Sequence, residues 1–186
     1  DILPLPEYVK RRAERRRSIT ELKRNRRIEL GTVVTFYFEC YETMLHQVQE
    51  MLYIEKGGAE QLPDELAAYN PLIPNGSELT ATVMIEIDDE LRRKRMLAEL
   101  GGIEFQFFLR VGGETVKGVP ENDQERTSEQ GRTSSVHFLH FPFTKGQIET
   151  FRKAGAEIVL GCSHPKYQHM AIMPEAVREA LSRDFA

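Results

Sequence analysis

Residues 33–55 read VVTFYFECYETMLHQVQEMLYIE, and the change of period inside this stretch decides the fold class. In its first half Val34, Phe36, Phe38 and Cys40 fall on one side, and Val33, Thr35, Tyr37 and Glu39 on the other. Such alternation marks a strand with one face in a core. After Cys40 the apolar residues Met44, Val48, Met51 and Leu52 recur at helical spacing. The strand therefore runs directly into an amphipathic helix, which Gly57-Gly58 terminates. His46, Gln47 and Glu50 lie beside the apolar stripe of that helix.

Outward from this unit, residues 77–87 form a second alternating run. Leu79, Ala81, Val83, Ile85 and Ile87 share one face; Glu78, Thr80, Thr82, Met84 and Glu86 share the other. The polar side is expected to be the solvent face of a one-sided sheet. Residues 103–111 alternate as well, and Gly112-Gly113 predicts a hairpin into 114–119. A helix is expected over 89–100. The last third reads strand (134–141), helix (144–154), strand (157–162), strand (167–172), helix (174–183), with Thr144 as an N-cap and Pro174 at a first helical position. The polar segment 120–132 is expected to be a mobile loop. Interspersed strands and helices with a hairpin predict an α+β fold: a mixed, mainly antiparallel sheet with helices packed on one side.

Charge divides the chain. The first 27 residues hold ten of the 25 Lys/Arg and four of the 29 Asp/Glu, leaving 15 basic and 25 acidic residues for the remainder. This predicts a basic N-terminal helical arm over 1–27 and a single α+β domain over 28–186. Docking of the arm on the acidic body of the same or a neighbouring subunit, as in a homo-oligomer, is the first expectation. Nucleic acid is the second, because Tyr8 is the only aromatic residue on the helix and stacking modules carry more. No apolar run approaches the 18 or so residues of a membrane span, and no signal-peptide pattern opens the chain. Cys40 and Cys162 are read as reduced thiols of a cytoplasmic protein.

The order of the phrases DILPLPEY, KRNRRIELG, VTFYFE, QVQEMLYIEK, ELAAYNPLIPNGSELTATVMIEI and HFPFTKGQIETFRKAGAEIVLGCSHPKY resembles an uncharacterised bacterial family, classed as a domain of unknown function, of about this length. The resemblance covers nearly the whole chain and carries no catalytic signature. It implies genes lying near those for rubrerythrin-like proteins and iron–sulfur oxidoreductases. From this follows an accessory role in redox or oxidative-stress metabolism, with such redox proteins as partners.

Candidate chemistry is sparse. His46 and Glu50, spaced i, i+4, project from one helical face and are candidate ligands for iron, manganese or zinc, with His164, Glu39 or His169 supplying a third. The set taken forward is His46, Glu50 and His164. The segment CSHPKYQH gathers Cys162, His164, Tyr167 and His169, a pattern that suits thiol activation or metal binding. His137 and His140, three apart on a strand, face opposite ways. No phosphate-binding loop, G-x-S-x-G or H-E-x-x-H pattern is present.

Overall fold

Phe36 meets Phe107 edge to face, with ring centroids 5.1 Å apart, and this contact joins two separate sheets. The computed structural model describes residues 1–121, 127–128 and 131–186. Helix α1 (Leu5–Arg24) leads into β1 (Arg27–Leu30), β2 (Val34–Phe38), α2 (Tyr41–Glu55) and α3 (Leu62–Tyr69). Then follow β3 (Glu78–Ile85), α4 (Glu90–Glu99), β4 (Phe107–Val111), β5 (Glu114–Lys117), β6 (Val119–Pro120) and β7 (Val136–Pro142). The chain ends with α5 (Lys145–Arg152), β8 (Ile158–His164), β9 (Tyr167–Ile172) and α6 (Glu175–Leu181).

The α+β class is as expected, but the strands form two sheets instead of one. The first has the order β1-β2-β3-β7-β6 and the second β5-β4-β8-β9. Every strand pair in both is antiparallel. The split occurs at Gly118, between β5 of one sheet and β6 of the other. Its amide donates to Phe107 O, and a Cβ there would stand 3.1 Å from that oxygen and 3.1 Å from the Phe141 ring. Alternation reports that a strand has a buried face; it carries no record of which strand lies beside it.

The core sits between the sheets. Leu30, Phe36, Phe38, Ala81, Val83, Leu139 and Phe141 from the first face Phe107, Leu109, Leu160 and Cys162 from the second. Leu97 of α4, Phe151 of α5 and Val177 and Leu181 of α6 complete it. Tyr167 ties the two layers polar-wise. Its hydroxyl donates to Leu30 O at 2.6 Å and accepts from the amides of Val33 and Val34. The β1–β2 turn must come close enough to be reached, and Gly31 allows it. Gly31 has φ +71, and a Cβ there would fall 2.6 Å from the Tyr167 hydroxyl.

The other face of the first sheet is covered at its centre, which corrects the expectation of a solvent face there, although Glu86 at one end stays exposed. Thr80 is fully buried and Thr82 is 7% exposed. Helix α2 lies over them, burying Met44 and Val48, while the turn before β3 accepts the Thr80 hydroxyl at Leu72 O. His137 and His140 do point to opposite faces: His137 pairs in register with Val83 of the core side, and His140 with Thr80 of the polar side. The expected loop 120–132 falls largely outside the described residues.

The basic arm and the body are continuous. Arg26 is 4% exposed; it donates to the carbonyls of Phe38 and Glu39 and pairs with Asp184 near the C-terminus. Both ion-pair partners are nearly solvent-free, so removing one strands the other in the interior. Arg26→Met is expected to cost about 3–5 kcal/mol in urea denaturation at neutral pH. A loss under about 1 kcal/mol, the range of exposed pairs, would show that the pair is not structural.

Candidate functional site

Glu39 is the residue between strand β2 and the first turn of α2. The chain must turn there from an extended path into a helix, and the local sequence provides for it. Cys40 adopts an extended conformation as the N-cap, and its amide donates to Oγ1 of Thr43. Thr43 in turn donates to Oε2 of Glu39 at 2.6 Å. The second carboxyl oxygen, Oε1, accepts the hydroxyl of Thr82 from the central strand β3 at 2.7 Å. Glu39 is 4% exposed. Among the described residues no Lys, Arg or His side chain pairs with it. Arg26 reaches only the Glu39 backbone, and its charge is matched by Asp184. A buried carboxyl is ordinarily matched by a cation or by several donors. Glu39 has two hydroxyls, against roughly four lone-pair positions.

This carboxyl lines a cavity of about 310 Å³ between the sheet face and helices α2 and α3. Met44, Met84, Val136 and Phe138 supply apolar wall; Tyr37, Tyr69, Gln47, Thr82 and Lys23 supply polar groups. Tyr37 is fixed by donating to Glu86 at 3.1 Å, and Thr35 donates to the same carboxylate at 2.6 Å. Gln47 spans from α2 to the Tyr69 hydroxyl of α3. A mainly apolar concavity with a few convergent polar groups is the general form of a small-molecule site, and the volume lies at the small end of the usual range of about 300–1,000 Å³.

The structure does not assemble His46, Glu50 and His164 into the expected metal site. His46 and Glu50 share a helix face, but that face meets α1. Glu50 accepts from Arg12 Nε at 2.7 Å, from Arg12 Nη2 at 2.8 Å and from the Tyr8 hydroxyl at 2.5 Å. Arg12 also stacks on Tyr53, 4.3 Å from its ring centre. This guanidinium, with help from Tyr8, lowers the Glu50 carboxyl from its ordinary 4.5 to about 2. A carboxylate so engaged has little left to offer a cation. Burial holds the His46 imidazole below its ordinary range, Glu50 pulls the other way, and Lys23, Arg16 and Arg12 across the helix interface reinforce the drop. His164 ends β8 in the other sheet, with Nε2 against Gly101 O and Nδ1 accepting from the Lys166 amide. Both ring nitrogens are thus used by turns. His169 packs on Tyr167. Among the described residues no group of three or more His, Cys, Asp or Glu is arranged to hold a metal.

Nor does CSHPKYQH form a reactive thiol. Cys162 is 3% exposed on the core side of β8, and burial pushes its thiol up to about 11. Burial also raises Cys40. Both cysteines are free. Of the candidate metal ligands read from the sequence, Glu39 is the one at the cavity, and Gln47, read beside the apolar stripe of α2, joins it there. A readable hint existed: Thr43 stands four residues after it, and Thr82 falls on the polar face of the strand that pairs beside it.

Comparison with known proteins locates the chain without assigning an activity. A family profile described as "Protein of unknown function (DUF3501)" matches residues 1–185. The chain belongs to that family. Its fold is also that of a protein of unknown function from Burkholderia pseudomallei K96243, known from a crystal structure. The two are 36% identical with a TM-score of 0.92, and the match covers 100% of this chain and 96% of the other. Comparison with curated proteins gives no match. Among the described residues of this DUF3501 chain no helix is long and apolar enough to cross a membrane.

Glu50 has a depressed pKa in the folded protein, so its contribution is complete above its ordinary 4.5 and fades as pH falls toward about 2. At pH 7 Glu50→Gln should cost about 1.5–3 kcal/mol, the range of charge-assisted hydrogen bonds. The gap between wild type and variant in urea melts should close as the pH is lowered through that window; a gap that persists at the acid end refutes the pairing. For the thiols, dithiodipyridine should titrate neither cysteine in the native state and both of them in denaturant. Rapid native labelling of Cys162 would contradict its placement.

Proposed function

We propose that the protein binds a small molecule in the cavity floored by Glu39, and that the ligand presents an ammonium or similar cationic donor to that carboxyl. The observation that carries this reading is the state of Glu39: buried, open to a cavity, hydrogen-bonded by Thr43 and Thr82, and matched by no cation among the described residues. The two threonines orient the carboxyl without neutralising it. Aromatic rings of Tyr37, Tyr69 and Phe138 on the same walls favour a cation electrostatically, by about 0.5–2 kcal/mol for a well-placed ring.

Other uses of the chain have weaker support. The redox accessory role implied by the resemblance has no reactive thiol behind it. The basic helix reaches the body through Arg12 and Tyr8 on Glu50, which favours docking on the body over phosphate binding.

Tyramine, an aromatic amine of suitable size, is a direct probe. Saturation-transfer NMR should detect it on the wild-type protein. Glu39→Gln, which keeps the shape and an acceptor, should weaken it by about tenfold or more, equivalent to ~1.4 kcal/mol. Equal binding to both proteins, or none to either at millimolar concentration, would refute the reading.

A further inference from the structure

The cavity carries a second, opposite charge that the Glu39 reading does not use. Lys23, in the last turn of α1, lines it together with Glu39. Yet neither makes an ion pair with the other or with any further described residue. Two unlike charges therefore share one small cavity and stay apart. Here the carboxyl is held by Thr43 and Thr82.

The surroundings sharpen the polarity. Lys23 belongs to a basic row on the side of α1 that faces α2. Arg12, Arg16 and Lys23 all act on His46, each disfavouring its protonation, and Glu50 is the one carboxylate acting on it. Arg12 is consumed by Glu50. Lys23 has no acid of its own among the described residues, so the α1 side of the cavity ends in an unmatched positive charge. The sheet side holds Glu39. Between them lie Tyr37, Tyr69, Met44 and Phe138. In a partly dry cleft each unmatched charge attracts a counter-charge more strongly than it would in water.

We propose that the ligand is a zwitterion of amino-acid type: its ammonium on Glu39, its carboxylate on Lys23, and an aromatic or apolar body against the rings and thioethers. The proposal rests on the Glu39 reading above and adds the second contact and the ligand class. A cavity of about 310 Å³ suits a single amino acid better than a peptide or a nucleotide. A simple amine leaves Lys23 unmatched, and a simple carboxylic acid leaves Glu39 unmatched. Only a molecule with both groups satisfies both ends.

Calorimetry with three related probes on the full chain tests this: tyrosine, tyramine (no carboxylate) and 4-hydroxyphenylpropionate (no amine). Wild type is expected to bind tyrosine about tenfold or more tighter than tyramine, and the propionate most weakly. Lys23→Met should abolish tyrosine's advantage over tyramine, and Lys23→Arg should restore it. Lys23 is partly exposed at a helix end, so these variants keep the fold intact. If tyramine binds but tyrosine gains nothing, or gains equally in Lys23→Met, the zwitterion is refuted while the Glu39 site stands. If none of the three binds at millimolar concentration, both fall.

Discussion

On the central strand of the larger sheet, Thr82 donates its hydroxyl to a Glu39 carboxyl that is itself almost solvent-free. That contact states the constraint governing this half of the molecule: the sheet is buried on both sides, yet only one side is apolar. The apolar side closes against the second sheet through Phe36, Phe38, Phe107 and Phe141. The polar side bears hydroxyls and carboxyls that must find partners once α2 covers them. Those that are covered are met locally: Thr80 by Leu72 O, Glu78 by His140, Glu39 by its two threonines, while Glu86 at the exposed edge takes Thr35 and Tyr37. Unsatisfied groups in such a layer would cost about 1–3 kcal/mol apiece.

The position of α2 follows from the same requirement. Its Met44 and Val48 supply the apolar contact with the sheet, and its opposite edge, with Glu50, receives α1 through Tyr8 and Arg12. Tyr8 is fully buried, so the first turns of the basic arm are anchored. The last turn, two helical turns or more further on, brings Lys23 to the cavity. A single helix is thus pinned at one end by a carboxylate and delivers a cation to the site at its other end.

The cavity exists because that covering layer does not close completely. Helices α2 and α3 bridge through Gln47 and Tyr69, and the space beneath them is walled by side chains from β2, β3 and β7. Functional groups often collect where one layer of a fold meets another, since there polar atoms can be held dry without being used up by the backbone.

Much of the architecture was legible in the chain itself. Period-two alternation in residues 33–40 and 77–87 predicted strands whose Phe36, Phe38, Ala81 and Val83 do enter the core, and the switch to helical spacing after Cys40 placed α2; in the third alternating run, 103–111, the strand begins only at Phe107 and Phe105 stays exposed. The caps at Thr144 and the turn at Gly112-Gly113 were readable as well, because local geometry depends on local residue type. The partition into two sheets, the cover over the polar face of β3 and the separation of His164 from His46 were decided only in three dimensions. Period and spacing tell which residues share a face; they say nothing of what lies opposite it. His46 and Glu50 do share a face, but the sequence could not reveal that Arg12 and Tyr8, nearly forty residues away, occupy it, nor that Glu39, at the end of its strand, would be the carboxyl left facing open space.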